Sequence, residues 1–277
     1  MKTIIPKFFY IIFNFIKNLL ILYSVVFSLA ATISIIWIYF QITKPIKEVK
    51  YLISNNPSET KFMQSYRNNL LRNKKSDTLI HYFVPLDSIS KFLRQAVIAA
   101  EDDGFYTHPG IDIESILAAA EYNRQKNKIV HGGSTITQQL AKNLFCDHEK
   151  NFMRKFKELG YTLLLEKYLS KDRILELYLN YAQWGERIFG CEAASKEYFK
   201  KSCNKLSLYE ASRLAAILAM PSKLSPNNTK SVFMQKRISV ITNNLYKKHL
   251  IDDSAYTSIL GLPPPKDSSL DTSEEEK

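Results

Sequence analysis

The 277-residue chain is basic, and its size favours one domain with appendages over two independent enzymes. Its 38 Lys and Arg residues exceed its 27 Asp and Glu residues, and the net charge of +11 indicates an anionic partner such as nucleic acid, acidic lipid or a phosphorylated substrate. The apolar fraction of 45% is typical of a globular protein. Three cysteines, Cys146, Cys191 and Cys203, lack metal-ligand spacing, which argues against a disulfide framework and a cysteine nucleophile.

The N-terminal part of the chain contains an uncharged apolar segment. Residues 19–40, LLILYSVVFSLAATISIIWIYF, are 22 in number. At the helical rise of about 1.5 Å per residue they extend over roughly 33 Å, which is enough to cross the hydrocarbon core of a bilayer. Lysines precede the segment and no convincing small-residue cleavage site follows it. We therefore predict a cytoplasmic N-terminus over residues 1–18, an uncleaved transmembrane signal anchor over residues 19–40, and an exported remainder.

The next segment, residues 41–84, is predicted to be a juxtamembrane linker. The stretch TKPIKEVKYLIS at residues 43–54 predicts a short helix, and the polar residues 55–76 are typical of a linker or a short helix. Strand-like alternation is weak and is confined to TLIHYFV at residues 78–84.

Residues 85–250 carry helical patterns, and we assign them to one domain. Apolar residues spaced along residues 86–101 predict a helix there, and a longer helix is predicted over residues 152–167. The final residues, 251–277, end in LPPPKDSSLDTSEEEK and predict a partly disordered tail. Helix starts are indicated by the capping residues Asp112, Ser134, Ser170 and Ser207, the last in a capping box with Glu210, and Pro221 indicates a helix end.

Three acidic residues follow the first of these helices in EDDGFYTHPGID, residues 101–112. Partial burial at the end of an apolar helix would raise the pKa of Glu101 toward the value that a general acid or base needs at neutral pH. The alternative is structural, with Asp102 and Asp103 capping the turn and His108 packing against it.

A second polar constellation is HGGSTITQQLAKNLF, residues 131–145. Its glycines allow the backbone to approach a ligand, Ser134 and Thr135 supply hydroxyls, and the amides at the start of the following helix would attract an anion. The stretch lacks the glycine-lysine-serine or threonine ending of a nucleotide P-loop. The helix adds polar groups that suit a sugar and a phosphate, or else a solvated surface. These groups are Gln138, Gln139, Lys142 and Asn143.

The third constellation, RKFKELGYTLLLE at residues 154–166, places charges on one helical face. Arg154 lies four residues and Lys155 three residues before Glu158, so the carboxylate and both cations are neighbours. A solvated ion pair is the common interpretation of this spacing. The functional alternative is a cationic cradle for a diphosphate with an acid inside it.

Taken together, these stretches resemble a known family. EDDGFYTHPGID, GGSTITQQLAKN, RKFKE, KDRILELYLN and GCEAASKEYF occur in the order of the five sequence blocks of the family 51 peptidoglycan glycosyltransferases, and the resemblance covers about residues 57–226. One anchor followed by this domain alone, with PSETKFM at residues 57–63, is similar to the monofunctional biosynthetic peptidoglycan transglycosylase branch. Serine-x-x-lysine matches at residues 88–91 and 202–205 lack the further motifs of a transpeptidase.

The resemblance implies a mainly α, lysozyme-like glycosyltransferase domain and a transfer of the growing glycan from polyprenyl diphosphate to lipid II, with inversion to a β-1,4 linkage. It implies that Glu101 is the general base for the 4-hydroxyl of the acceptor and that Glu158 is the second essential carboxylate. The implied substrate-binding residues are Asp102, Phe105 and His108 in the first block, Ser134, Thr135, Gln138, Gln139, Lys142 and Asn143 in the second, and Arg154 and Lys155 in the third.

The resemblance also implies partners and a location. The expected partners are lipid II, the growing glycan chain on polyprenyl diphosphate, the membrane and other cell-wall synthases, and no nucleic acid is expected. No cofactor is required, no metal ligand is assigned, and assistance of the diphosphate by a divalent cation, Mg²⁺ or Mn²⁺, is left open. The catalytic domain is expected on the periplasmic, extracytoplasmic side of the cytoplasmic (inner) membrane.

Two positions near the fourth block depart from the pattern of the family. Gln183 stands where an acid is frequent and Arg187 where a glycine is usual, so Arg187 is expected either to adopt a glycine-like backbone angle or to contact a phosphate. Glu176, Tyr178 and Asn180 are assigned to packing and hydrogen bonding rather than to chemistry.

Other classes of protein are weighed against this assignment. A hydrolase on the same fold would cleave glycan strands with the two glutamates, but Lys142, Arg154 and Lys155 suit a diphosphate leaving group. A catalytically silent, anchored scaffold would have no use for both glutamates. A metal-dependent phosphoesterase built on Glu101, Asp102, Asp103 and His108 is weaker, because no second ligand cluster of suitable spacing occurs in the sequence.

Overall fold

The computed structural model describes residues 4–125, 133–147 and 152–265 of the chain. The chain divides into two compact units, Met1–Tyr51 and Leu52–Lys277. Residues 266–277, which include the acidic end of the predicted tail, lie outside the described residues.

The first unit is one long helix, α1 (Ile4–Tyr51). Its segment Ile12–Ile36 is 25 residues long, is apolar enough to cross a membrane, and has none of its most apolar stretch buried inside the protein. This agrees with the predicted apolar anchor. The separate short helix predicted at residues 43–54 is wrong, because α1 continues through Pro45 to Tyr51. Proline removes one backbone hydrogen bond, and here that loss does not end the helix.

The second unit is mainly helical, as predicted. Its helices are α2 (Lys61–Arg72), α3 (Lys91–Glu101), α4 (Ile113–Gln125), α5 (Ile136–Phe145), α6 (Phe152–Tyr168), α7 (Lys171–Tyr181), α8 (Cys191–Phe199), α9 (Leu208–Ile217), α10 (Val232–Lys247) and α11 (Asp253–Leu260). Its strands are β1 (Ile80–His81), β2 (Gln183–Gly185) and β3 (Ile188–Phe189), and single turns of 3-10 helix occur at Leu86–Ser88 and Cys203–Lys205.

The three strands form one small sheet in the order β1-β3-β2. Strand β1 lies parallel to β3 with Ile80 opposite Ile188, and β2 lies antiparallel to β3. The weak alternation at residues 78–84 therefore does mark a strand. Asn180 secures the chain after β1, since its side chain accepts from Val84 N and donates to Val84 O, each at 2.9 Å.

The core is formed by two groups of helices. Helices α3, α9 and α10 pack against one another, and α5 packs against α2, α6 and α7. Leu93 on α3 and Leu140 on α5 are fully buried. The segment predicted as a linker or short helix is the helix α2, and its Met63 and Leu70 are buried. Helix α5 therefore lies at the centre of its group and has few positions facing solvent.

Most of the predicted helix caps are present. Asp112 Oδ1 accepts from Ser115 N at 2.9 Å before α4, and Ser170 Oγ accepts from Arg173 N at 3.2 Å before α7. Before α9, Ser207 and Glu210 form the predicted capping box. Helix α9 ends ahead of Pro221, also as predicted.

Two predicted helix starts are wrong. The residue that caps α5 is Thr135 rather than Ser134, because the Thr135 hydroxyl accepts from Gln138 N and the Gln138 side chain accepts from Thr135 N. The helix predicted over residues 86–101 is interrupted, and α3 begins only at Lys91. The interruption arises because Ser90 N bonds to Cys203 O at 3.3 Å, which draws the backbone away from a continuous helix.

Candidate active site

Glu101 is the last residue of α3 and faces a cleft. The buried side of α3, which includes Leu93 and Val97, continues to the end of the helix, and only 13% of the Glu101 side chain is exposed. The cleft has a volume of ≈ 370 Å³ and is open to solvent. Besides Glu101, its walls include Ser115 and Tyr122 on α4. The apolar helix therefore delivers one carboxylate to the edge of a polar cavity.

Both oxygens of Glu101 have hydrogen-bond partners. Oε1 accepts from Arg237 Nη2 at 2.9 Å, and Oε2 accepts from Gln139 Nε2 at 3.0 Å. Burial raises the pKa of Glu101 above the usual carboxyl range, although Arg237 and Gln139 oppose this shift. Tyr178 in turn donates to Gln139 Oε1 at 3.0 Å, which orients the amide so that its NH₂ group faces the carboxylate.

Asp102, which follows the last residue of α3, links the turn after α3 to the start of helix α5. Its Oδ1 lies 2.7 Å from His108 Nε2, and its Oδ2 accepts from Ile136 N at 2.9 Å. His108 Nδ1 accepts from Gly110 N at 3.1 Å, so the network assigns the proton of a neutral His108 to Nε2. Ligand atoms of Asp102, His108 and Asp112 lie within 4.8 Å of one another. Asp112 instead accepts from Ser115 N and Ser115 Oγ, so each member of the cluster has a hydrogen-bond partner within the protein.

Phe105 lies in the core rather than on the cleft wall. Its side chain is fully buried, and Lys171 Nζ lies 4.7 Å from the centre of its ring. Lys171 also donates to His108 O at 2.7 Å and to Glu166 Oε1 at 2.8 Å. Phe105 and His108 thus shape the turn that presents Glu101, and neither lines the cleft within the described residues.

The second constellation divides into structural and exposed residues. Thr135 and Gln138 are buried and cap α5, and Thr135 Oγ1 also donates to Gly110 O at 2.7 Å. Ser134 is exposed on the cleft wall, and Asn143 is buried. Of the described residues in this stretch, Gly133, Ser134 and Thr135 line the cleft, while Gln139 contacts Glu101.

The basic residues form a separate cluster around Glu158. Glu158 is buried, with 4% of the residue exposed. Its carboxylate pairs with Lys155 and lies 3.9 Å from Arg154 Nη1. Burial lowers the pKa of Lys142 below the usual lysine value, Glu158 opposes that shift, and Arg154 and Lys155 add to it. Arg154, Lys155 and Glu158 are therefore close together, as the sequence predicts, and Lys142 interacts electrostatically with them.

Helix α5 connects the two carboxylate environments. Gln139 contacts Glu101, and Lys142, three residues further along the same helix, is electrostatically coupled to Glu158. The basic cluster does not line the cleft within the described residues. The predicted site residues therefore form two separate polar groups, one around Glu101 and one around Glu158. The two groups contact adjacent turns of α5.

Two residues of the site were missed by the sequence interpretation. Arg237 and Asn244 both lie on α10, and they reach the end of α3 through contacts that span 136 and 145 positions of the chain. Neither belongs to a motif, and a spacing of seven residues is common for two residues on the same face of any helix. No local signal in the sequence indicated either residue.

The residues that the sequence assigned to structure have structural contacts. Glu176 accepts from Leu86 N at 2.8 Å, and Asn180 bonds to Val84. Arg187 adopts φ of 62°, the left-handed conformation expected from the glycine usual at this position. Its backbone O accepts from Ile80 N at 2.8 Å, which fixes the turn against β1.

Comparisons with known proteins identify relatives over most of the chain. The transglycosylase family matches residues 67–246. A biosynthetic peptidoglycan transglycosylase of Cupriavidus metallidurans is 50% identical over 167 residues, which is 60% of this chain and 72% of the relative. A protein of the same name from Paraburkholderia xenovorans is 40% identical over 228 residues, which is 82% of this chain and 93% of the relative.

A solved structure was also found, the crystal structure of penicillin-binding protein 1A from Haemophilus influenzae. It is 21% identical with a TM-score of 0.38, and the match covers 67% of this chain and 18% of that chain.

A mainly helical domain with a buried carboxylate at a polar cleft, and a second carboxylate among cations, can supply a base and positive charge that stabilises an anionic leaving group. The family match covers more than half of the chain. The chain belongs to the transglycosylase family.

Proposed function

We propose that this protein is a peptidoglycan glycosyltransferase that polymerises lipid II into β-1,4-linked glycan strands and releases polyprenyl diphosphate. Two relatives that carry the name biosynthetic peptidoglycan transglycosylase support the substrate class. The observation that carries the proposal is the placement of Glu101 on the cleft and of the basic cluster one turn further along α5.

In this proposal Glu101 acts as the general base. It takes the proton of the 4-hydroxyl of the acceptor sugar while that oxygen attacks the anomeric carbon of the donor. The donor's bond to the diphosphate breaks, and the configuration inverts from α to β. A buried carboxylate with a raised pKa suits this role, because a stronger base removes the proton more effectively.

The basic cluster would bind the diphosphate of the donor. Lys142, Arg154 and Lys155 offer three cations, which would offset the negative charge that develops on the leaving group. Glu158 holds two of these cations in place through its ion pairs. A neutral glycan substrate has no need of such a cluster, so the cluster favours transfer from a diphosphate over hydrolysis.

The membrane helix suits a substrate that carries a polyprenyl chain. We place the N-terminus in the cytoplasm and the catalytic unit on the extracytoplasmic side of the inner membrane, in line with a precursor that is polymerised outside the cytoplasm. Partners beyond the membrane and the glycan precursor would be other cell-wall synthases. We propose no required cofactor, and a divalent cation, Mg²⁺ or Mn²⁺, would act on the substrate diphosphate.

The test is incubation of the detergent-solubilised protein with labelled lipid II, with products resolved by gel. We expect lysozyme-sensitive polymer from the parent and at least about 100-fold less from Glu101→Gln, since loss of a general base costs roughly that much. Glu114→Gln makes the same chemical change at an exposed position of α4 and should leave the yield unchanged. Parallel reactions with EDTA, Mg²⁺ or Mn²⁺ test the cation.

Two results would contradict the proposal. A folded parent that makes no polymer in any detergent, with or without cation, would favour a scaffold. A parent that shortens preformed glycan strands without extending lipid II would favour a hydrolase.

A further inference from the structure

Helix α10 supplies hydrogen-bond donors to the end of α3. Asn244 Nδ2 donates to Ala99 O at 2.9 Å, and Arg237 Nη2 lies 3.4 Å from Ala100 O and 2.9 Å from Glu101 Oε1. The last carbonyls of a helix lack partners within the helix, so these donors stabilise its end. The contacts also fix where the final side chain of α3, Glu101, can point.

The surroundings of Glu101 disfavour a negative charge. The carboxylate is buried at the C-terminus of a helix, where the negative end of the helix dipole lies. On its own segment Asp102 adds a further negative charge, and α5 and α7 contribute the neutral groups Gln139 and Tyr178. Something must offset these effects if the carboxylate is to remain an ionised base.

Arg237 is the cation that pairs with Glu101 in the described part of the chain. Lys248, which follows the end of α10, is paired with Asp103 at 2.9 Å. Among the causes that lower the pKa of Glu101, the charge of Arg237 is the largest. Arg237 is absent from the described cleft lining, and 23% of its side chain is exposed. Its contact is therefore with the base rather than with the space that a sugar would occupy.

We propose that Arg237 is a positioning residue that keeps Glu101 ionised and aimed into the cleft. The proposal rests on the proposed role of Glu101 as the general base. Arg237 acts through Glu101 and does not itself contact substrate.

The test compares the pH dependence of lipid II polymerisation for the parent, Arg237→Met and Arg237→Lys. Loss of the positive charge should move the acid limb of kcat/KM to higher pH by about 1 pH unit or more, while Arg237→Lys should lie between the two. At pH values well above the acid limb, KM of each variant should stay within about twofold of the KM of the parent, since substrate contacts are unchanged. Lys236→Met removes an exposed charge next to Arg237 and should leave the profile in place.

An acid limb that does not move in Arg237→Met would overturn the proposal. So would a large rise in KM with an unmoved limb, because Arg237 would then bind substrate. If Arg237→Met does not fold, Arg237→Gln replaces it, since it removes the charge and keeps an N–H donor.

A second measurement needs no lipid II and separates this proposal from the proposed function. Arg237→Met should cost more unfolding free energy as pH rises above the usual carboxyl range, because a higher folded-state pKa of Glu101 disfavours the native state there. This growth should disappear in a Glu101→Gln background. An equal pH dependence in both backgrounds would show that Arg237 does not act through Glu101, whatever the enzyme's substrate is.

Discussion

Glu101 and Glu158 are both buried, and their partners differ in kind. Glu101 has one arginine and one neutral amide, and burial raises its pKa, which makes it a stronger base than an exposed carboxylate. Glu158 lies among Arg154, Lys155 and Lys142, and its ion pairs hold cations in place. The two carboxylates are therefore suited to a base and to an organiser of positive charge.

Lys142 provides a pH prediction at the residue scale. Its pKa is lowered by burial, so its positive charge is lost at a lower pH than for an exposed lysine. If the charge binds the diphosphate, polymerisation should decline on the alkaline side as Lys142 deprotonates. Arginine stays charged throughout this range, so Lys142→Arg should move the decline to higher pH. The measurement is the initial rate of lipid II consumption between about pH 7 and pH 10.5.

The Lys142→Met variant should polymerise lipid II more slowly than the parent at every pH, by roughly tenfold or more, because it lacks the charge altogether. Lys157→Met alters an exposed lysine one helical turn from Arg154 and serves as the matched control. An alkaline decline at the same pH in the parent and Lys142→Arg, with a fully active Lys142→Met, would remove Lys142 from the site.

At the scale of the element, α5 carries much of the arrangement. Its start is fixed to the cleft turn through Ile136 N on Asp102 and through Thr135 on Gly110. One turn later Gln139 meets Glu101, and a further turn later Lys142 meets the basic cluster. A shift at the start of α5 would therefore displace contacts in both polar groups.

The start of α5 yields a stability prediction. Thr135→Ala removes the helix cap and the hydrogen bond to Gly110 O, which leaves buried groups unpaired and should cost about 2 kcal/mol of unfolding free energy. Ser134→Ala, at the exposed neighbour, should change it by less than about 0.5 kcal/mol. Chemical denaturation of the two variants in the same detergent measures both values. Equal losses would mean that Ser134 is the cap after all.

At the scale of the whole molecule, the apolar segment of α1 and the basic second unit give two routes to a membrane. The segment Ile12–Ile36 has its apolar surface exposed, which favours a bilayer. The second unit holds 32 Lys and Arg residues and 26 Asp and Glu residues, and its net charge of +6 adds an attraction to anionic lipid headgroups. The hydrophobic route persists in salt, whereas the electrostatic route is screened.

We predict that a chain starting at Leu52 leaves the membrane fraction after a high-salt wash, whereas the full chain stays. Fractionation followed by immunoblotting measures the distribution. Replacement of residues 12–36 by an unrelated apolar helix of equal length should restore retention. If the truncated chain stays in the membrane fraction after the high-salt wash, the second unit itself inserts apolar surface into the bilayer.

The sequence predicted those features of the fold that depend on local pattern. Apolar spacing located the helix that ends at Glu101, and capping residues such as Asp112, Ser170 and Ser207 located helix starts. The start of α5 was misplaced by one residue, because Ser134 and Thr135 are chemically alike as caps and only the Gln138 contact separates them. The break before α3 was missed because it depends on Cys203, which is remote in sequence.

By itself the sequence determined the helical class, the apolar anchor, the order of the blocks and the neighbourhood of Arg154, Lys155 and Glu158, since each rests on residues a few positions apart. Only the tertiary structure decided that Phe105 and Gln138 are buried and that Arg237 meets Glu101. The physical reason is that a charge pair spanning 136 positions forms through the packing of α10 on α3, and a lone arginine on a helix carries no local sign of the carboxylate that it will contact.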